Sequence, residues 1–454
     1  MSRFPENFVW GVASSAYQIE GAAAADGRSP SVWDTASTRD GFVSDHHSGA
    51  SACDSYNRVD EDADLIAGLG VNASRFSLSW SRILPEGLGK INHAGLDYYD
   101  RVVDALLARG VEPWVTLFHW DYPHVLYELG GWMNEDSPQW FAEYTRVVAD
   151  RLGDRVKHWM TLNEPQCFVG LGHSIGEHAP GLKLPRRDVL VVLHRSLLAH
   201  GLSVQALRAN ADDHKIGWAP VGVTAYPDTE SPEDIEAARR FMFERCPPGD
   251  AWSFSNSLYA DPVIFGRYPN SSYGPVVAEL PAHPASDLET INQPIDFYGV
   301  NIYQGTRVRA DDDGNPEIVP PPAGQPRTMM DWPVTPEALY WGPRLLAERY
   351  KLPVYITENG CATTDWVSLD GAVRDPARID YVDRHLRQLA RAVDDGVDVR
   401  GYFHWSILDN FEWAYGYTKR FGLVHVDFDT GQRTPKDSYN WYRMLISSHQ
   451  SVGS

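Results

Sequence analysis

Cysteine is scarce in this 454-residue sequence. The four present, at 53, 167, 246 and 361, show none of the short paired spacings of a zinc site, and a chain of this size needs no disulfide framework. Positive charge is scarce as well: 40 Lys and Arg stand against 61 Asp and Glu, a net charge of −21. Repulsion on that scale excludes nucleic acid and anionic membrane surfaces as natural partners. Long apolar runs are missing too. The best membrane candidate, VLVVLHRSLLAHGL at 189–202, is interrupted by His194, Arg195 and His200 and falls short of the roughly 20 apolar residues that span a bilayer. The opening MSRFPENFVWGVASS has no charged segment followed by an apolar core and a small-residue cleavage site, so the expected location is cytoplasmic. No Gly-rich nucleotide fingerprint follows an early strand, which argues against an open doubly wound sheet.

Aromatics are plentiful, with 16 Trp and 22 Tyr. A large core takes most of them, although aromatic faces also stack on the apolar faces of sugar rings. Short apolar strands recur along the chain, at 8–14, 73–80, 112–119, 156–163, 215–222, 296–303, 353–359 and 399–408. Amphipathic helical runs lie between several of them, at 95–110, 137–153, 335–350 and 378–396. In the first, Tyr98, Val102, Ala105 and Leu106 share one face, and Gly110 marks a stop. Eight strands alternating with helices predict parallel pairing and a closed (β/α)8 barrel, a single domain over 1–454 with elaborated loops. The Pro- and Gly-rich insert 311–333 is expected to be a surface loop after the sixth strand.

In such a barrel the C-terminal ends of the strands converge on the active face. The fourth strand ends TLNEP and the seventh ends VYITENG, which sets Glu164 and Glu358 facing each other across the mouth. In the second stretch Asn359 and Gly360 are expected to supply a turn, since both tolerate uncommon backbone conformations. Two facing carboxyls suit glycoside cleavage: one protonates the leaving oxygen while the other attacks the anomeric carbon or activates water. Either acid alone serves equally well as a strand-end cap. Asn163 beside the acid, and Arg75 placed to keep a carboxylate ionised, favour the chemical reading. His119 at a strand end has no Asp/His pair at ligand spacing with it, so no metal is expected. Glu412, between Phe411 and Trp413, calls for a hydroxyl or a cation if it is buried.

TLNEP, YITENG and HWSILDNFEWAYGYTKRFGLVHVD at 404–427, together with FVWGVASSAYQIEG, SRFSLSWSRILPEG, TLFHWDYP and GEHAPG, closely resemble glycoside hydrolase family 1, the β-glucosidase family. The resemblance covers essentially the whole chain. It implies a (β/α)8 barrel fold and a retaining β-glucosidase with Glu358 as nucleophile and Glu164 as acid/base. It implies that Gln18, His119, Asn163, Glu412 and Trp413 hold the hydroxyls of the terminal sugar, with Trp405 as its platform. Trp120 and Phe421 are counted with the substrate-binding residues, and Trp332 matches the platform for the leaving group. Tyr303 and Arg75 match the groups that orient the nucleophile. No cofactor is implied.

The resemblance also narrows the substrate. Plant thioglucosidases carry Gln where this chain has Glu164, and members that take 6-phosphorylated sugars lack the pair matching Glu412 and Trp413. Unphosphorylated β-glycosides, such as aryl or alkyl glucosides and cello-oligosaccharides, are the expected partners, with galactosides and fucosides as further substrates. The alternative is a catalytically silent sugar-binding protein on the same scaffold. One departure stands out: many relatives have Trp after NEP, where this chain has Gln166 followed by Cys167, so the preferred leaving group stays open.

Overall fold

The computed structural model describes residues 4–450. All eight predicted strands are present, each trimmed at one or both ends: β1 (Val9–Ala13), β2 (Ala73–Ser77), β3 (Glu112–Phe118), β4 (His158–Asn163), β5 (Lys215–Ala219), β6 (Tyr298–Asn301), β7 (Val354–Asn359) and β8 (Val399–Trp405). They lie in the order β5-β4-β3-β2-β1-β8-β7-β6, with parallel pairing throughout. The remaining seam, between β5 and β6, closes through backbone bonds that lie mostly beyond the strands. Asp296 N donates to Ile216 O at 2.7 Å, Asn301 N to Pro220 O at 3.0 Å, and Gly222 N to Asn301 O at 2.7 Å.

Strands covered on both faces need apolar residues on both, which is why they stand out as continuous apolar runs. Inside the ring, Trp114 packs among Phe297, Tyr355 and Phe403 with ring centroids 5.0–5.6 Å apart. Ala13, Ala73 and Ala219 share this interior cluster; Ala13 and Ala219 are the last residues of β1 and β5, and their small side chains leave room where those strands end.

The predicted helices form over His93–Leu107 (α1), Ser137–Leu152 (α2), Ala338–Tyr350 (α4) and Pro376–Asp394 (α5). Gly110 follows α1 with φ +74°, a left-handed conformation that ends a helix cheaply only at glycine. The interrupted apolar run at 189–202 sits inside a longer helix, α3 (Arg186–Asn210). By length and composition that helix is apolar enough to cross a membrane, but 72% of its apolar window is buried within the molecule. Its apolar character is thus used up by the protein's own core.

The insert departs from the expected plain loop. Gly305–Ala310 pairs in parallel with Thr224–Pro227 and antiparallel with Pro316–Ile318, making a three-stranded sheet beside the barrel mouth. Its three strands run only three to six residues each, too short to announce themselves among the surrounding prolines and aspartates.

Candidate active site

Glu358 is the penultimate residue of β7 and is 3% exposed. The Asn-Gly after it was expected to turn the chain by its backbone freedom, and here the structure differs. Neither Asn359 nor Gly360 has a positive φ. Asn359 is still strand, and its amide donates to Ile302 O at 2.8 Å while accepting from Tyr402 OH at 2.9 Å, tying β7 to both neighbours. Gly360 is required by crowding: a Cβ there would lie 1.9 Å from the carbonyl oxygen of Trp405. The strained backbone lies elsewhere at the site. Glu164, Trp120 and Trp413 all have left-handed φ values, +42°, +80° and +49°, a cost that surrounding structure must hold in place.

One network orders the two acids. Arg75 on β2 donates to Glu358 Oε1 at 2.6 Å and to Asn163 Oδ1 at 2.6 Å, and Tyr303 OH donates to Glu358 Oε2 at 2.6 Å. Asn301, at the end of β6, donates through Nδ2 to Asn163 Oδ1 and to Glu164 Oε1, both at 3.0 Å. The two N–H groups of the Asn301 amide are thereby both used, one on Asn163 and one on Glu164. The carboxyls differ in their counter-charge. Glu358 has a guanidinium in contact, whereas Glu164 has only the Asn301 amide and the Cys167 thiol, whose Sγ lies 3.2 Å from Oε2.

Burial and the charge of Glu358 together push the Glu164 carboxyl up to about 8. Glu358 also lies above the ordinary carboxylate range, because burial outweighs Arg75, Tyr303 and Asn301, which all pull it down. The sequence had suggested only the downward pull. Tyr303 keeps its proton, raised by burial and by Glu358, so it can only donate to that carboxylate.

A cavity of about 1160 Å³ opens at this end of the barrel, lined by Glu164, Glu358, Glu412 and a collar of His119, Trp120, Tyr303, Trp332, Trp405, Trp413 and Phe421. His119 stacks against Trp405 and Trp413, each at 18° between planes. Its Nε2 faces Asn163 Nδ2 at 3.1 Å, while Nδ1 is buried with no hydrogen-bond partner among the described residues. Burial keeps this imidazole neutral. Because Asn163 Oδ1 is fixed toward Arg75, which can only donate, Nδ2 must face His119. The histidine proton therefore sits on Nδ1, as a donor in want of an acceptor. Glu412 is pushed up to about 8 by burial and by the other two carboxyls, with the Gln18 amide 3.4 Å away.

Gln18, Asn163 and Arg75 do not line the cavity. All three are fully buried one layer below it, bonded to residues that do. Trp120 spends its indole N–H on Asn163 O at 2.9 Å, leaving its ring face for the cavity. Gln166 turns away, accepting from Val221 N at 3.2 Å and donating to Ser255 O at 3.3 Å; Cys167 faces inward in its place. Asn301 went unnoticed in the sequence, buried in DFYGVNIY, where only its position at a strand end distinguished it. Among the described residues, no three His, Cys, Asp or Glu side chains are grouped to hold a metal ion.

A (β/α)8 barrel with two buried carboxyls at its mouth, one paired with a guanidinium and one not, inside a tryptophan collar, defines a glycoside hydrolase of the two-carboxylate kind. The chain belongs to glycosyl hydrolase family 1, which it matches over residues 1–451. It is 45% identical over 99% of both chains to a 1,4-beta-D-glucan glucohydrolase of Thermotoga neapolitana. It is 39% identical over 99% of both to a bifunctional beta-D-glucosidase/beta-D-fucosidase of Bifidobacterium breve. Among solved structures it resembles a beta-glucosidase from Thermotoga maritima in complex with glucoimidazole, with a TM-score of 0.90 and 44% identity over 99% of this chain and 100% of that one.

Proposed function

We propose that this protein is a retaining β-glucosidase that releases terminal, non-reducing β-D-glucose, and that it also accepts β-fucosides and β-galactosides. The observation that carries the mechanism is the unequal treatment of the two acids. Arg75 and Tyr303 favour the carboxylate of Glu358, and its charge in turn keeps the proton on Glu164. Glu358 attacks the anomeric carbon as Glu164 protonates the departing oxygen. A glycosyl ester on Glu358 results, and the negative charge that held the proton on Glu164 is gone. Glu164 then takes a proton from water, which attacks the ester and frees the sugar.

Neutral His119 with its Nδ1–H, Glu412, and the rings of Trp405 and Trp413 supply the means to bind hydroxyls and stack on a sugar face. Glu412 would repel a phosphorylated sugar. A cavity this size reaches well past one ring, which supports cello-oligosaccharides as well as aryl and alkyl glucosides, and hence a role in cellulose breakdown. The four cysteines are free thiols, which supports a reducing, cytoplasmic setting; we infer that the whole chain works as one catalytic unit. With both glutamates in place, a silent sugar binder has no use for this arrangement.

The decisive experiment replaces Glu358 with Gly and assays an activated aryl β-glucoside. Hydrolysis is expected to vanish and to return with added azide as an α-glycosyl azide. A β-azide product contradicts attack from the side that Glu358 vacated.

A further inference from the structure

The acid/base assigned to Glu164 must work in two protonation states, and its two oxygens are held by very different partners. Oε1 accepts from Asn301 Nδ2 at 3.0 Å. The orientation of that amide follows from a chain of obligate donors. Arg75 can only donate, so the Asn163 atom it meets at 2.6 Å is the oxygen. Asn301 therefore turns its nitrogen to that same oxygen at 3.0 Å, while its own oxygen accepts from Thr357 Oγ1 at 2.7 Å. Glu164 Oε1 thus always meets a donor and has no acceptor on that side for a proton of its own.

Oε2 lies 3.2 Å from Cys167 Sγ. A thiol is a weak donor and a weak acceptor, so it can point its hydrogen at a carboxylate or receive the hydrogen of a carboxylic acid. The cysteine is fixed for this task. Its backbone N–H closes onto Glu164 O at 2.9 Å, its side chain lines the cavity, and neighbouring Gln166 is turned away by its bonds to Val221 and Ser255.

We propose that Asn301 and Cys167 together assign the transferable proton of Glu164 to Oε2, and that Cys167 is a positioning residue serving both states, S–H···O⁻ in the base form and O–H···S in the acid form. This rests on Glu164 being the acid/base. In the first step the Oε2 proton leaves the sulfur for the glycosidic oxygen, which takes the electron pair of the breaking bond to the anomeric carbon. In the second, Oε2 regains a proton from water while the thiol keeps its own hydrogen throughout. Burial and the surrounding carboxylates hold the Cys167 thiol far above its ordinary range, so the sulfur never competes as an anion. The other groups facing Glu164 are Glu358, Glu412, Arg75 and Tyr303, and none of them is hydrogen-bonded to Oε2.

The test compares kcat/KM against pH for the wild type, Cys167→Ala, Cys167→Ser and Glu164→Gln on an aryl β-glucoside with a poor leaving group. Loss of the thiol donor leaves the acid form of Glu164 favoured to higher pH. The alkaline limb of Cys167→Ala is expected to move up by roughly half a unit, and Cys167→Ser, which again both donates and accepts, to bring it back. Coincident limbs in the wild type and both Cys167 variants overturn the proposal. An alkaline limb that persists in Glu164→Gln instead overturns the assignment of the acid/base. A second readout needs no stable variant at the alanine step. The Cys167 S–H stretch, isolated as the infrared difference between the wild type and Cys167→Ser, is expected to move to lower frequency as pH rises through the alkaline limb. A band that stays in place overturns the proposal independently.

Discussion

Three carboxyls, Glu164, Glu358 and Glu412, share one cavity with a single guanidinium in direct contact with any of them. Glu412 has no cation of its own among the described residues and is pushed up to about 8. A carboxyl whose pKa is raised on folding stabilises the protein while protonated, and that contribution fades as pH climbs from its ordinary 4.5 toward about 8. Glu412→Gln removes the penalty. We expect this variant to be more stable than the wild type by ~1 kcal/mol or more at pH 8, with a flatter dependence of Tm on pH, and to have a higher KM for glucosides. Equal Tm curves for the two proteins, measured by calorimetry across that range, would count against an uncompensated charge at Glu412. That Glu164 and Glu358 meet at one cavity within a tryptophan collar was legible in the sequence, since each sits in a distinctive local pattern. Asn301 was not, because its role comes from atoms on β2, β4 and β7 that only folding brings together. Gly360 was legible as a necessary glycine, but for the wrong reason: the crowding comes from a carbonyl 45 residues further on, at Trp405.

At the scale of elements, the segment that follows β8 carries Glu412, Trp413 and Phe421, yet holds little regular structure of its own. A buried ion cluster anchors it. Asp409 accepts from Lys436 Nζ at 2.7 Å, from Arg420 at 2.7 Å and from Gly422 N at 2.9 Å. Lys436 also reaches Asp365 at 2.5 Å, which Arg378 holds from the other side at 2.7 Å. Removing one member strands buried charge. Lys436→Met is expected to cost about 3–5 kcal/mol of stability by denaturant titration, and to raise KM more than it lowers kcat as the segment loosens. A loss under 1 kcal/mol would show that water relieves the stranded carboxylates. The eight strands and the four named helices were legible because their apolar periods are strong. The small sheet and the ion cluster were not, since short strands and scattered charges leave no periodic trace.

At the scale of the molecule, the ring of strands was foreseen from a count of eight, but not the way it closes. Seven of its contacts are ladders between strands; the eighth, between β5 and β6, relies on a few backbone bonds near the ends of those strands, two of them made by Asn301. The same residue reaches with its side chain to Glu164. The stave that completes the cask therefore also carries the latch of Glu164, the proton donor in the function proposed above, so a cask that begins to gape on warming loosens that acid first, while Glu358 keeps its mooring to Arg75 on β2. On heating, turnover of glucosides with poor leaving groups is expected to fail at a lower temperature than turnover of activated ones, ahead of any change in circular dichroism. Were both to fail together, the seam and the acid would be independent parts.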